Sequence, residues 1–260
     1  MLNYIETHRN FIRGYIQPDI SWRNTANGGV HANILAASAI SNDFALFEQT
    51  LNEPVGRSTI ANYFKEGKMY EGFMATMLWG HKHRAKKASA KREFLSIVSV
   101  PKDEVVKKMD DVKQKIDSGQ FKEAFDSVHQ SNKIKYVGES FYTKILYFLT
   151  YHNPQPLLIL DVNMHSVWCA LRIAQGDVSY KTDYKWDSTK KKMSKILKYN
   201  DNNWDTYLEY LQTMYSITPK DAKPDELEAF LFRNEPLPNG EISPRQFVID
   251  YIDKHFYTEK

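Results

Sequence analysis

One cysteine, Cys169, is present in 260 residues. No disulfide can therefore form within the chain, and no four-cysteine zinc site or iron–sulfur cluster can be supplied by it alone. That usage fits a reducing, cytoplasmic setting. No stretch approaches the roughly eighteen apolar residues of a membrane span. The opening residues, Met1-Leu-Asn-Tyr-Ile-Glu-Thr-His8, lack the basic-then-apolar order of a signal peptide. Glycine and proline are scarce, at 11 and 10 residues, so long Lys/Glu/Leu/Ala-rich stretches run unbroken and the expected class is mainly α. A phosphate-binding glycine loop, the motifs of Ser–His–Asp catalysis and a dinucleotide fingerprint are all missing. Internal repeats and low-complexity linkers are missing too.

What is present belongs to a packed protein. Hydrophobic residues make up 42% and aromatics 13%, which excludes a disordered chain. The length allows one domain, or two lobes sharing an active cleft. The net charge of +3 is unevenly spread. His81-Lys-His-Arg-Ala-Lys-Lys-Ala-Ser-Ala-Lys-Arg92 and Lys190-Lys-Lys-Met-Ser-Lys-Ile-Leu-Lys198 are strongly basic. Each is a solvated helix face or a phosphate-neutralising patch. In the first, Lys82 and Arg84 are candidate DNA contacts. The His81/His83 pair lacks a third ligand, so phosphate contact or exposure is the expected role rather than metal binding.

Apolar spacing and breakers predict helices over 33–51, 58–65, 69–80, 101–116, 121–131 and 141–151. Asn153-Pro-Gln-Pro156 is a rigid break, and Leu157-Leu-Ile-Leu160 is expected as a buried extended connector. Asp161 is expected to cap a helix reaching 174, ended by Gly176. A loop over 177–187, a basic helix over 188–198, and helices over 204–215, 225–232 and 245–255 complete the expectation.

The segment from Lys133 to Trp168 carries the chemistry. Ile134-Lys-Tyr-Val-Gly138 is a very short turn between two amphipathic helices. Such a turn presents backbone N–H groups to a phosphate, and a glycine there permits close approach. Any αα-hairpin can place a glycine at its turn, so the turn alone decides nothing. After it come Glu139-Ser-Phe-Tyr-Thr-Lys144, an apolar helix, and Leu160-Asp-Val-Asn-Met164.

These residues resemble the helix–hairpin–helix DNA glycosylase superfamily. Within it they look most like the 8-oxoguanine glycosylases, the archaeal type and related bacterial proteins more than the eukaryotic type. About 35 residues carry the likeness, with a looser extension to Asp225-Glu-Leu-Glu-Ala-Phe-Leu-Phe232. The resemblance does not place the first 70 residues. The resemblance implies a mainly α fold of two helical lobes with the active cleft between them, and a helix–hairpin–helix and catalytic segment over about 121–175. It also implies an enzyme that removes 8-oxoguanine or a similar modified purine with associated β-lyase activity. Its substrate would be double-stranded DNA; it would be a monomer without cofactor, metal or membrane partner, in the cytoplasm at the nucleoid.

In the family a lysine in the second hairpin helix attacks C1′ and an aspartate opening the next helix assists; these map onto Lys144 and Asp161. Tyr136, Val137, Gly138, Ser140 and Asn163 map onto the DNA-binding positions. Tyr136 stands where the family hairpin has its first glycine, Ser140 fills the eukaryotic lysine slot, and Asn163 replaces the histidine that follows aspartate–valine. Trp22, Trp79, Phe141, Tyr142, His165, Trp168 and Phe232 are candidates to wedge or hold an extruded base, although large aromatics are more often core.

An amine attacks only when neutral, and apolar surroundings disfavour an ammonium. A carboxylate at a helix N-terminus is favoured as the anion and can stabilise positive charge developing on the sugar. The same residues leave open a glycosylase for another modified base, as in phage DNA, or a non-catalytic DNA-binding hairpin protein.

Overall fold

The computed structural model describes residues 1–19, 28–51, 54–81, 88–129, 134–177, 184–187, 192–195 and 203–257. The chain is mainly α and divides into two compact units, one of Pro18–Leu157 and one of Met1–Gln17 with Leu158–Lys260.

The 18–157 unit contains α3 (Gly28–Ile40), α4 (Asn42–Thr50), α5 (Arg57–Lys65), α6 (Met69–His81), α7 (Ala88–Val98), α8 (Lys102–Asp117), α9 (Phe121–Val128) and α10 (Glu139–Thr150). The single helix expected over 33–51 is two helices. Ser41 adopts an extended backbone and its Oγ accepts from the Phe44 N–H at 3.2 Å, so the hydroxyl competes with helix continuation and opens α4 instead. Helix α7 was not expected; its polar first turns hide an apolar stripe of Phe94, Ile97 and Val98 that is buried. Pro101 caps α8, and Gly119 at φ +72° ends it. The core lies where α10 packs on α5 and α6 and where α8 packs on α6 and α9. Phe64, Phe73, Phe125, Tyr142 and Tyr147 are among its fully buried side chains.

The other unit joins the two ends of the chain. It contains α1 (Leu2–Thr7), α2 (Arg9–Ile12), α11 (Val162–Ala174), a ribbon of β1 (Tyr184–Asp187) and β2 (Lys192–Lys195), then α12 (Trp204–Ile217), α13 (Pro224–Leu231) and α14 (Pro244–Tyr257). Tyr4 stacks on Phe247 at 3.7 Å, and His8 bonds Glu241 at 2.7 Å. These contacts fasten the first helices to the last one.

The basic helix expected over 188–198 is corrected by the ribbon. β1 and β2 pair antiparallel with Tyr184 opposite Lys195 and Trp186 opposite Met193. Tyr184-Lys-Trp-Asp187 alternates with period two, and pairing of that strand with Lys192–Lys195 outweighs the helix propensity of lysine.

Leu157–Leu160 is buried and lies outside any helix or strand. Its backbone polar groups are satisfied by side chains instead. Thr150 Oγ1 accepts from Leu157 N at 2.8 Å within the first unit. In the second, Tyr207 and Tyr210 donate to the Leu158 and Ile159 carbonyls at 2.7 and 2.8 Å, and buried Glu228 accepts from Ile159 N. Burial pushes the Tyr207 phenol well above its ordinary pKa, so it remains a donor. The connector is thereby pinned as far as Ile159, two residues before Asp161.

Candidate active site

Lys144 lies on α10 and is 6% exposed. Its Nζ sits 5.7 Å from the centre of the Phe141 ring, one helical turn earlier. Phe141 in turn stacks on His81 at 4.7 Å and 20°. The ring is seated against α6 at Gly80, where a Cβ would fall 2.3 Å from Phe141 Cε1. His81 Nδ1 lies 2.9 Å from the Met77 carbonyl; a carbonyl only accepts, so Nδ1 carries the proton. The exposed or phosphate-binding role expected for His81 is thus corrected: it is buried, because Met77 and His81 continue the inward face of α6 at helical spacing. Along α10, Tyr147 accepts from buried Arg57 at 2.9 Å, and that guanidinium lies over Tyr147 and Trp79 at 4.9 and 5.6 Å. Trp79 also meets Phe148 edge-on at 5.5 Å.

A tight turn precedes α10. Val137 N bonds the Ile134 carbonyl at 3.1 Å, and Gly138, extended at φ −79°, caps α10. Tyr136 has φ +68°, alone among the described non-glycine residues in the left-handed region. The backbone therefore keeps the conformation that suits glycine while the sequence carries a tyrosine, at a local strain of about 1–2 kcal/mol. Its ring is 46% exposed, with Lys135 Nζ 4.9 Å from its centre. Val137 is buried, and Ser140 stands in the first turn of α10. Tyr142 is sealed in the core, its hydroxyl donating to the Val137 carbonyl. Lys82, Arg84 and Trp22 lie outside the described residues, as does the side chain of Ser140.

Asp161 belongs to the other unit and is 8% exposed. It is the N-cap of α11: Oδ1 accepts from Asn163 N at 2.9 Å and Met164 N at 3.2 Å. Asn163 and His165 follow on the first turns, both half-buried. His165 Nδ1 lies 3.6 Å from Cys169 Sγ, and its ring meets Trp168 edge-on. Trp168 is fully buried against Tyr210. Sequence reasoning missed Arg245, on the first turn of α14, which packs against α11. Its guanidinium donates to Asn163 Oδ1 and lies 5.9 Å from the half-buried Phe232 ring. Burial lowers the Arg245 pKa from its ordinary value, while the nearby Asp161 charge acts in the opposite direction. Nothing in the local pattern of Ser243-Pro-Arg245 signals this; the partners are far apart in sequence.

The chemical content is a buried amine beside an aromatic ring in one unit and, in the other, a carboxylate held by backbone N–H groups with an arginine charge acting on it. Among the described residues no group of three or more His, Cys, Asp or Glu could hold a metal. No helix there is long and apolar enough to cross a membrane. The family model described as "Putative 8-oxoguanine DNA glycosylase OGG-like protein" matches residues 22–232. The chain belongs to this OGG-like DNA glycosylase family. The match begins well before the motif segment, so it takes in much of the region that the local resemblance did not reach. Comparison with curated proteins and with solved structures yields no match. DNA is the substrate class that the family implies.

Proposed function

We propose that this OGG-like chain is a bifunctional DNA glycosylase and lyase that removes 8-oxoguanine or a similar modified purine from duplex DNA. The observation that carries the reading is the near-complete burial of Lys144, against Phe141, on the helix that follows the hairpin. Lysine is rarely fully buried unless it has a partner, and a primary amine held at a defined position is the group that attack on C1′ requires.

Lys144 Nζ donates its lone pair to C1′. The bond from C1′ to the base breaks, and the base leaves with that electron pair and takes up a proton. The amine sheds its protons and the sugar ring opens, leaving an imine between Nζ and C1′. Loss of a C2′ proton then expels the 3′ phosphate and nicks the strand. Asp161 stabilises the positive charge that develops on the sugar as the base departs. Its cap bonds and its role in the reaction use the same anion. Gly138 and the adjacent N–H groups of the hairpin grip a phosphate, with Tyr136, Ser140, Asn163, Lys82 and Arg84 as further DNA contacts. Phe232 and His165, half-buried in their unit, remain candidates to meet an extruded base; Trp79, Phe141, Tyr142 and Trp168 are explained by packing.

The test is incubation with a duplex carrying one 8-oxoguanine, followed by borohydride, with Lys144→Gln alongside. The expected result is a covalent adduct with the wild type and none with the variant. Base release without an adduct would overturn the lysine mechanism. Neither release nor adduct on any modified duplex would leave a DNA-binding protein.

A further inference from the structure

We propose that Arg245 and Asn163 form one phosphodiester-binding element beside Asp161, in which Arg245 sets the Asn163 amide as a donor. The proposal rests on the DNA glycosylase reading and adds to it a residue beyond the family match, which ends at 232.

An arginine only donates hydrogen bonds, so the amide atom facing it must be the oxygen. Arg245 Nη2 indeed meets Asn163 Oδ1. The Asn163 NH2 is thereby turned the other way, and among the described residues it has no partner. The guanidinium is half-buried, with the Phe232 ring near it. Among the described residues Arg245 makes no ion pair, and Asn163 is its one side-chain hydrogen-bond partner. The Asp161 charge acts on the guanidinium without bonding to it among the described residues, so N–H groups remain for a further anion. Burial outweighs that charge and leaves the Arg245 pKa below its ordinary value.

What the pair offers is therefore donors alone: the remaining guanidinium N–H groups and the amide NH2. The complement is an anion with several oxygens and no proton of its own, as in a phosphodiester, which the planar guanidinium fits with paired bonds. The Asp161 carboxylate would repel such an anion. Its Oδ1 is turned to the backbone N–H groups of 163 and 164, and the arginine charge offsets it. Asn163 so oriented supplies the N–H that the usual family histidine would supply, and Arg245 is the positioning residue that makes it do so.

The experiment measures equilibrium binding to a duplex containing a tetrahydrofuran abasic-site analogue, which the enzyme cannot process, across a salt series. Wild type, Arg245→Met, Asn163→Ala, the double variant and Asn163→Asp are compared, each with a melting curve. Arg245→Met is expected to weaken binding about tenfold and to reduce the slope of log affinity against log salt by about one. The double variant should be no worse than Arg245→Met by more than about twofold, because the two residues act together. Asn163→Asp is the decisive arm. It gives Arg245 an ion-pair partner near a helix N-terminus, so the melting temperature should hold or rise. It also replaces the donor by an anion, so binding should fall by about tenfold or more. A purely structural Arg245–Asn163 bond predicts unchanged binding in Asn163→Asp, and that result would overturn the proposal. Additive losses in the double variant would overturn the joint action. If the wild type itself fails to bind the duplex, the DNA glycosylase reading falls and this inference with it.

Discussion

The unit around Lys144 and the unit around Asp161 hold their reactive groups with different materials. The lysine is buried with its Nζ beside the Phe141 ring, which stacks on His81 and is seated against the bare backbone of Gly80. The aspartate stands on two backbone N–H groups, with an arginine near enough to feel its charge. Such an enclosure rewards charge. The amine and the carboxylate of the proposed mechanism thus rest on different supports, a packed aromatic ring for one and a helix N-terminus for the other.

The sharpest way to break that comparison is to remove the amine. Lys144→Gln is expected to lower strand cleavage by at least about a thousandfold, as loss of a nucleophile does, while binding to the abasic-analogue duplex changes by less than about threefold. Single-turnover cleavage and equilibrium binding check the two halves. On the other side, Asp161→Asn keeps an oxygen for the Asn163 and Met164 N–H groups and removes only the charge. Base release should slow by roughly a hundredfold with little change in melting temperature. Asp161→Ala loses the cap as well, and should cost about 1 kcal/mol of stability. Equal melting temperatures for the two variants would contradict the capping bond; an undiminished rate in Asp161→Asn would reduce the residue to a cap.

A third change tests whether aromatic packing positions the lysine. Gly80→Ala places a methyl group into the Phe141 ring. Overpacking costs about 1–3 kcal/mol, against a helix-propensity gain of about 1 kcal/mol, so a modest net loss is expected in chemical denaturation. Adduct formation should slow by roughly tenfold; an unchanged rate would show that the Phe141 seat does not govern Lys144. The smallest effect is at the hairpin. Tyr136→Gly relieves the left-handed strain but frees the unfolded chain, so stability should change by less than about 1 kcal/mol. DNA affinity should fall severalfold if the exposed ring touches the strand, and the two readouts then move independently.

Much of this was legible because it is local. The Asp161 cap, the Gly176 stop, the Pro101 start and the α10 helix each depend on residues within a few positions of one another, and each stands where expected. The break at Ser41 was missed because the apolar pattern continues across it, and a single hydroxyl decides the matter. The ribbon was missed because lysine-rich sequence suggested helix while the period-two alternation was short. Arg245, Glu228 and Gly80 matter through partners 61 to 82 positions away, Asn163, Ile159 and Phe141, and no spacing rule reaches that far. His81 was misread because its basic neighbours drew attention from its place on the inward face of α6.

The account rests on Lys144 as the nucleophile. The most direct measurement is peptide mapping by mass spectrometry of the borohydride-trapped complex with an 8-oxoguanine duplex. The account predicts the sugar remnant on Lys144 and on no other amine. A remnant on a different lysine or on the N-terminal amine would contradict it.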